Sequence, residues 1–113
     1  MERIDVAVIG AGVSGLAAAR AIARRGLSTC VLERHPRPGL DTSTHNSGVI
    51  HGGMYYPPGT LKARLCVEGR RLLYQFCTDH NVPHRRCGKI IIANNASETH
   101  VLDDLLRLGR GND

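Results

Sequence analysis

Tryptophan is absent from the 113 residues, phenylalanine occurs once, at Phe76, and aromatic residues make up 4% of the chain. Aliphatic side chains must therefore supply most of any core, and no aromatic signature of an RNA-binding surface is present. The four cysteines, Cys30, Cys66, Cys77 and Cys87, contain no CxxC pair and no dense framework. That pattern predicts reduced thiols and a cytoplasmic setting. No long apolar run crosses the amino-terminal part: the uncharged stretch from Val6 to Ala19 falls short of the roughly twenty residues a membrane span needs. Asp5 and the glycines at 10, 12 and 15 also break it as a signal peptide, so neither a targeting nor a transmembrane segment is expected, and peripheral membrane contact stays open. Acidic residues are in deficit, 10 against 15 Lys plus Arg, for a net charge of +5. The basic residues are scattered in pairs (Arg24-Arg25, Arg70-Arg71, Arg85-Arg86), which argues against nucleic acid as a partner. With 42% hydrophobic residues, the length suits one small globular unit.

Glycine, in contrast, is abundant, with 13 residues, and its placement is informative. Ile4 to Ile9 is a β-branched run that reads as a buried strand, and Gly10-Ala11-Gly12-Val13-Ser14-Gly15 follows it directly. The segment from Leu16 to Gly26 then places Leu16, Ala19, Ile22 and Ala23 on one helical face, and STCVLE supplies a second strand ending at Glu33. Strand, GxGxxG turn, helix, strand and acid make a Rossmann-like βαβ unit for a dinucleotide. Gly10 permits the tight turn, Gly12 lets the backbone approach a pyrophosphate, and Gly15 lets helix and strand pack closely. The helix start at Val13 and Ser14 offers N–H groups to the phosphates, and Glu33 can accept from ribose hydroxyls. Arg34 alone would suit a 2′-phosphate, but the Glu33 carboxylate disfavours NADP. FAD and NAD both remain open on these residues.

The chain then departs from an NAD domain. From Arg34 to Gly59 no helical or strand periodicity occurs, and a segment of that length in a compact domain is usually functional. Its later part, THNSGVIHGGMYYPPG, is too rich in glycine for a regular element and too apolar for a solvated linker. The ordered series VIGAGVSGLAAAR, VLER, TSTHNSGVIHGGMYYPPGTLKARLCVEGRRLLY and CGKIIIA resembles the D-amino-acid-oxidase-like superfamily of FAD-dependent oxidoreductases. Within it, the series is most similar to the L-2-hydroxyglutarate dehydrogenase/oxidase family. The resemblance covers nearly the whole chain, and its HNSGVIHGGMYYPPGTLKARLC part is specific.

The resemblance implies FAD as cofactor and an α/β fold: an incomplete Rossmann-like FAD-binding domain over 1–80, with a flavin-facing loop at 41–59, and the start of a substrate domain over 81–113. Gly10, Gly12, Val13, Ser14 and Gly15 would hold the pyrophosphate, and Glu33 with Arg34 the adenosine end. Thr42, Ser43, His45, Asn46 and Ser47 would approach the flavin. His51 would lie near ring and substrate as acid–base or orienting residue, a task suited to a side chain that exchanges protons near neutral pH. The implied reaction is oxidation of a 2-hydroxy acid, L-2-hydroxyglutarate, to the 2-oxo acid, with oxygen or a quinone as the electron acceptor left open. The chain would be the first part of such an enzyme, inactive alone. The rival reading is a non-catalytic dinucleotide-binding module or an inactive remnant.

Three further readings complete the chain. Thr60 is an N-cap for a helix from Leu61 whose apolar face is Leu61, Leu65, Leu72, Leu73 and Phe76. Residues 88–93 read as a strand, and Ser97 opens a helix with Val101, Leu102, Leu105 and Leu108 inward. Cys77, His80, His84 and Cys87 have zinc-ligand identities, but their spacing is compressed and no metal is expected.

Overall fold

A computed structural model describes residues 3–112 and shows a mixed α/β chain in two compact units, one running to Val49 and the other beginning at Ile50. In the first unit, strand β1 (Val6–Ile9), helix α1 (Val13–Ala23) and strand β2 (Thr29–Leu32) follow in order. The strands pair in parallel with Val6 opposite Thr29 and Ile9 opposite Leu32. Register is set at the start of the ladder, where Ser28 O accepts from Asp5 N and Val6 N while the Asp5 carboxylate accepts from Ser28 N. It is extended past β1 by Gly10 N, which donates to Leu32 O at 2.7 Å. The helix is closed by the turn at Gly26, whose φ of +81° favours glycine and whose N–H donates to Ala23 O. Among the described residues of this unit, Ala11 and Ala19 are the buried ones, small enough for backbone and helix to approach the sheet closely.

The second unit holds helix α2 (Leu61–Asp79), a 3₁₀ turn (Ala96–Glu98) and helix α3 (Thr99–Asn112). Thr60 caps α2 as expected, its Oγ1 accepting from Ala63 N at 3.2 Å and donating to Pro57 O at 2.8 Å. The buried face of α2 is a different one from that expected. Ala63, Val67 and Cys77 are covered, whereas Leu61, Leu65, Leu72, Leu73 and Phe76 are exposed. Ala63 and Val67 stand one turn apart and face Gly53, and only small side chains fit there: a Cβ on Gly53 would lie 2.9 Å from Val67 Cγ2. The leucine stripe has the right period for a buried face, but no described element covers it.

The expected strand at 88–93 is also corrected. These residues form no ladder, and Ile90 and Ile92 are 90% and 72% exposed. Three consecutive isoleucines favour extended backbone, yet a strand exists only where a second one accepts and donates its hydrogen bonds. Asn95, rather than Ser97, caps the next element, its side chain accepting from Ser97 N. In α3, Leu102, Leu105 and Leu108 are half-buried, and Val101 faces solvent. The contact boundary at Val49 and Ile50 falls inside the 41–59 loop, away from the sequence boundary at 80. Among the described residues no helix is long and apolar enough to cross a membrane.

Candidate cofactor-binding site

The glycine turn between β1 and α1 is built as its residue types dictate. Gly10 has φ +98°, a backbone conformation that side-chain-bearing residues rarely adopt. A Cβ on Gly15 would collide with the Gly10 carbonyl oxygen, so helix and turn touch only because Gly15 lacks a side chain. Gly12 is the residue before the first turn of α1 and gives the helix no side-chain cap. The cap comes from afar: Ser43 Oγ accepts from Val13 N at 2.9 Å, and a Cβ on Gly12 would stand 3.2 Å from that oxygen. The loop is thereby attached to the helix end where a pyrophosphate is expected.

Glu33 spans the turn from the other side. Its Oε2 accepts from Ala11 N at 2.7 Å and its Oε1 from His35 N at 3.0 Å. The His35 and Ala11 backbone N–H groups hold its carboxyl below the ordinary value of 4.5. The loop is further tied to the turn by Gly39 N, which donates to Ala11 O at 3.0 Å. Beside Glu33, Arg34 Nη2 donates to Asp41 Oδ2 at 2.9 Å, and His35 Nε2 is 3.2 Å from the same oxygen. The Arg34 guanidinium, with a smaller contribution from His35, lowers the Asp41 carboxyl below its ordinary 3.8. An open cleft of about 200 Å³ lies between these groups, lined by Gly10, Gly12, Glu33, Arg34, Gly39 and Asp41 with the apolar Ile9, Leu32 and Leu40.

Seven of the expected cofactor residues are therefore gathered around one cleft or the adjoining helix start: Gly10, Gly12, Val13, Gly15, Glu33, Arg34 and Ser43. Ser14 lies in the exposed first turn of α1. Thr42, His45 and Asn46 shape the loop. Asn46 Nδ2 donates to Thr42 O and Ser43 O while its Oδ1 accepts from Gly48 N at 2.8 Å, and His45 Nδ1 lies 2.9 Å from Asp41 O. Ser47 is exposed. His51 belongs to the second unit, exposed, with Nδ1 3.4 Å from the Tyr56 hydroxyl. Tyr56 in turn has Lys62 Nζ 4.3 Å from its ring centroid, and Tyr55 has Lys89 Nζ 2.8 Å from its hydroxyl. His80 stacks on Phe76, and His84 Nδ1 lies 2.9 Å from Val82 O. The sequence reading missed Ala11, Gly39 and Asp41. Ala11 is the variable position of GxGxxG, and its N–H becomes informative only once Glu33 is seen to reach it.

The fit to FAD rests on the turn itself: Gly10 and Gly12 line the cleft without side chains, the Glu33 carboxylate borders it, and the Ser43 hydroxyl lies over the helix start. The description of the family model that matches residues 5–113 is FAD dependent oxidoreductase, DAO. The chain belongs to this DAO family. It is 49% identical over 111 residues to the mitochondrial L-2-hydroxyglutarate dehydrogenase of Arabidopsis thaliana, covering 98% of this chain and 23% of that protein. It is 48% identical over 113 residues to the Nematostella vectensis protein of the same name, covering 98% and 25%, and 43% identical over 110 residues to the human one, covering 96% and 24%. This DAO chain thus spans about a quarter of the length of the curated relatives it matches. Their names also correct the cytoplasmic expectation, since they are mitochondrial dehydrogenases. Unpaired cysteines separate oxidising from reducing compartments and cannot tell one reducing compartment from another.

Proposed function

We propose that this chain anchors the ADP half of FAD in an oxidoreductase that converts a 2-hydroxy acid, L-2-hydroxyglutarate, to its 2-oxo acid. The observation that carries the reading is the convergence on one glycine turn of the Glu33 carboxylate and the Ser43 hydroxyl, from residues 22 and 30 positions away in sequence. The unit is Rossmann-like in this reading: parallel β1 and β2 joined through α1, with the glycine turn at the carboxyl end of β1. Residues 1–80 then belong to the FAD-binding part and 81–113 to the start of the substrate part.

The chain's own residues divide the work. Glu33 keeps oxygen lone pairs beyond its two N–H contacts and accepts from the adenosine ribose hydroxyls. Gly12 leaves space for the pyrophosphate, which takes N–H donation from the start of α1 and the hydroxyl proton of Ser43, whose oxygen already serves Val13. Thr42, His45, Asn46 and Ser47 carry the loop toward the flavin. His51 removes the substrate hydroxyl proton, and the Tyr56 hydroxyl beside its Nδ1 orients the ring. Bound FAD would supply the hydride acceptor, chemistry that no side chain here provides.

Titration of the purified chain with FAD, followed by flavin fluorescence, tests the anchor. Saturable binding that ADP competes away and that Gly12→Val abolishes is expected. Absence of any FAD binding by a folded chain would overturn the anchor and leave the rival reading, a non-catalytic dinucleotide-binding module or an inactive remnant. Within a chain of the relatives' full length, His51→Ala should slow flavin reduction by substrate more than it lowers FAD content. An unchanged reduction rate would remove His51 from the chemistry.

A further inference from the structure

Arg34, next to the acid at the end of β2, is the residue type that would receive a ribose 2′-phosphate. The structure commits it elsewhere. Its Nη2 is 2.9 Å from Asp41 Oδ2, and His35 Nε2 lies 3.2 Å from that oxygen and 3.2 Å from Arg34 Nε. A protonated Nε2 donates to Asp41 and an unprotonated one accepts from Arg34, so either state of His35 keeps it within the group. Glu33, Arg34 and Asp41 all line the same cleft. The loop carrying Asp41 is held to the glycine turn by the bond from Gly39 N to Ala11 O.

We propose that Asp41 is a nucleotide-specificity residue: it engages Arg34 and sets a second carboxylate beside Glu33, so that the cleft takes an adenosine diphosphate with an unmodified ribose and rejects a 2′-phosphorylated one. The inference rests on the reading of this cleft as the adenosine site. A phosphate monoester carries about −1.5 to −2 charge at neutral pH. At this rim it meets two carboxylates, and the guanidinium that would neutralise it is already paired. The side chains of Arg34 and Asp41 are 75% and 59% exposed, so their ion pair adds little to folding. What the pair controls is where the guanidinium points and the net charge at the cleft.

The test is calorimetric titration of the purified 113-residue chain with ADP and with 2′-phospho-ADP at low ionic strength. ADP should bind at least about tenfold more tightly than 2′-phospho-ADP. Asp41→Asn should shrink that ratio by about tenfold, chiefly by strengthening 2′-phospho-ADP binding, and adding Arg34→Met to it should cancel the gain. A second measurement needs no variant: in the wild-type chain the ratio should fall as salt is raised, because repulsion is screened and a steric block is not. Tight ADP binding with a ratio indifferent to Asp41→Asn and to salt overturns the role of Asp41 and leaves the adenosine site standing. Failure of the folded chain to bind ADP at millimolar concentration overturns both.

Discussion

The Glu33 carboxylate and the Ala11 N–H meet at 2.7 Å across the glycine turn, joining the end of β2 to the turn that follows β1. The same carboxylate holds His35 N at 3.0 Å, so one side chain organises both the turn and the start of the loop. Removing it should act at two levels. Glu33→Ala is expected to weaken FAD or ADP binding about tenfold or more and to speed hydrogen exchange at the Ala11 amide, while Glu33→Gln, which keeps one acceptor oxygen, should lose less on both counts. Equal affinities in all three chains would remove Glu33 from the ribose.

Acid should unfold the first unit through the same groups. Glu33 and Asp41 both titrate below their ordinary values of 4.5 and 3.8 in the folded chain. A carboxyl whose folded value is depressed binds its proton more readily when unfolded, so its contribution is complete above the ordinary value and is lost as pH falls through the lowered one. Urea midpoints should therefore hold steady from pH 7 to about 5 and decline below. The decline should be shallower in the Glu33→Gln, Asp41→Asn double variant.

Two glycine-to-alanine substitutions should have opposite signs. In Gly15→Ala the new Cβ collides with the Gly10 carbonyl, a backbone atom that cannot swing aside, and the cost should be about 1–3 kcal/mol. Gly69, inside α2, has nothing within 4 Å of the corresponding position. Gly69→Ala should stabilise by roughly 0.5–1 kcal/mol through helix propensity. Thermal or urea unfolding of both variants decides the matter, and a stabilising Gly15→Ala would mean that the turn packs less closely than described.

Asn112 should act as the clasp of the second unit. Its Nδ2 donates to Gly53 O at 3.0 Å and to Tyr56 O at 2.8 Å, tying the end of α3 to the loop that also receives Arg70 Nη1 at Gly52 O. Asn112→Ala should cost about 1 kcal/mol and loosen residues 53–56 toward hydrogen exchange. Asn112→Asp should cost more, since a carboxylate would face two carbonyl oxygens with no donor of its own.

Much of the first unit was legible because its determinants are local. The β-branched run before Gly10, the glycine spacing and the stop at Gly26 each limit backbone conformation within a few residues, so strand, turn, helix and strand follow from them directly. The Thr60 cap belongs to the same class, a side chain three residues from the N–H it serves. The period of α2 was equally visible, and its buried face was not. Periodicity shows that Leu61, Leu65, Leu72, Leu73 and Phe76 share a side, but burial depends on what lies opposite, and Gly53 lies opposite Ala63 and Val67 instead. The isoleucines at 90–92 illustrate the same limit, because β-propensity cannot create the second strand that a ladder requires.

The candidate site divides along the same line. By itself the sequence determined that a glycine turn, a helix start and an acid come together, since chain connectivity through one βαβ unit leaves them no other arrangement. Only the tertiary structure decided that Ser43 caps α1 from 30 positions away, that Glu33 takes the Ala11 N–H, and that Asp41 engages Arg34. Each of these is a choice of partner by a polar group among many candidates in a loop without periodicity. Hydrogen bonds act over about 3 Å, so the choice is made only when the folded backbone has brought one of those candidates within reach.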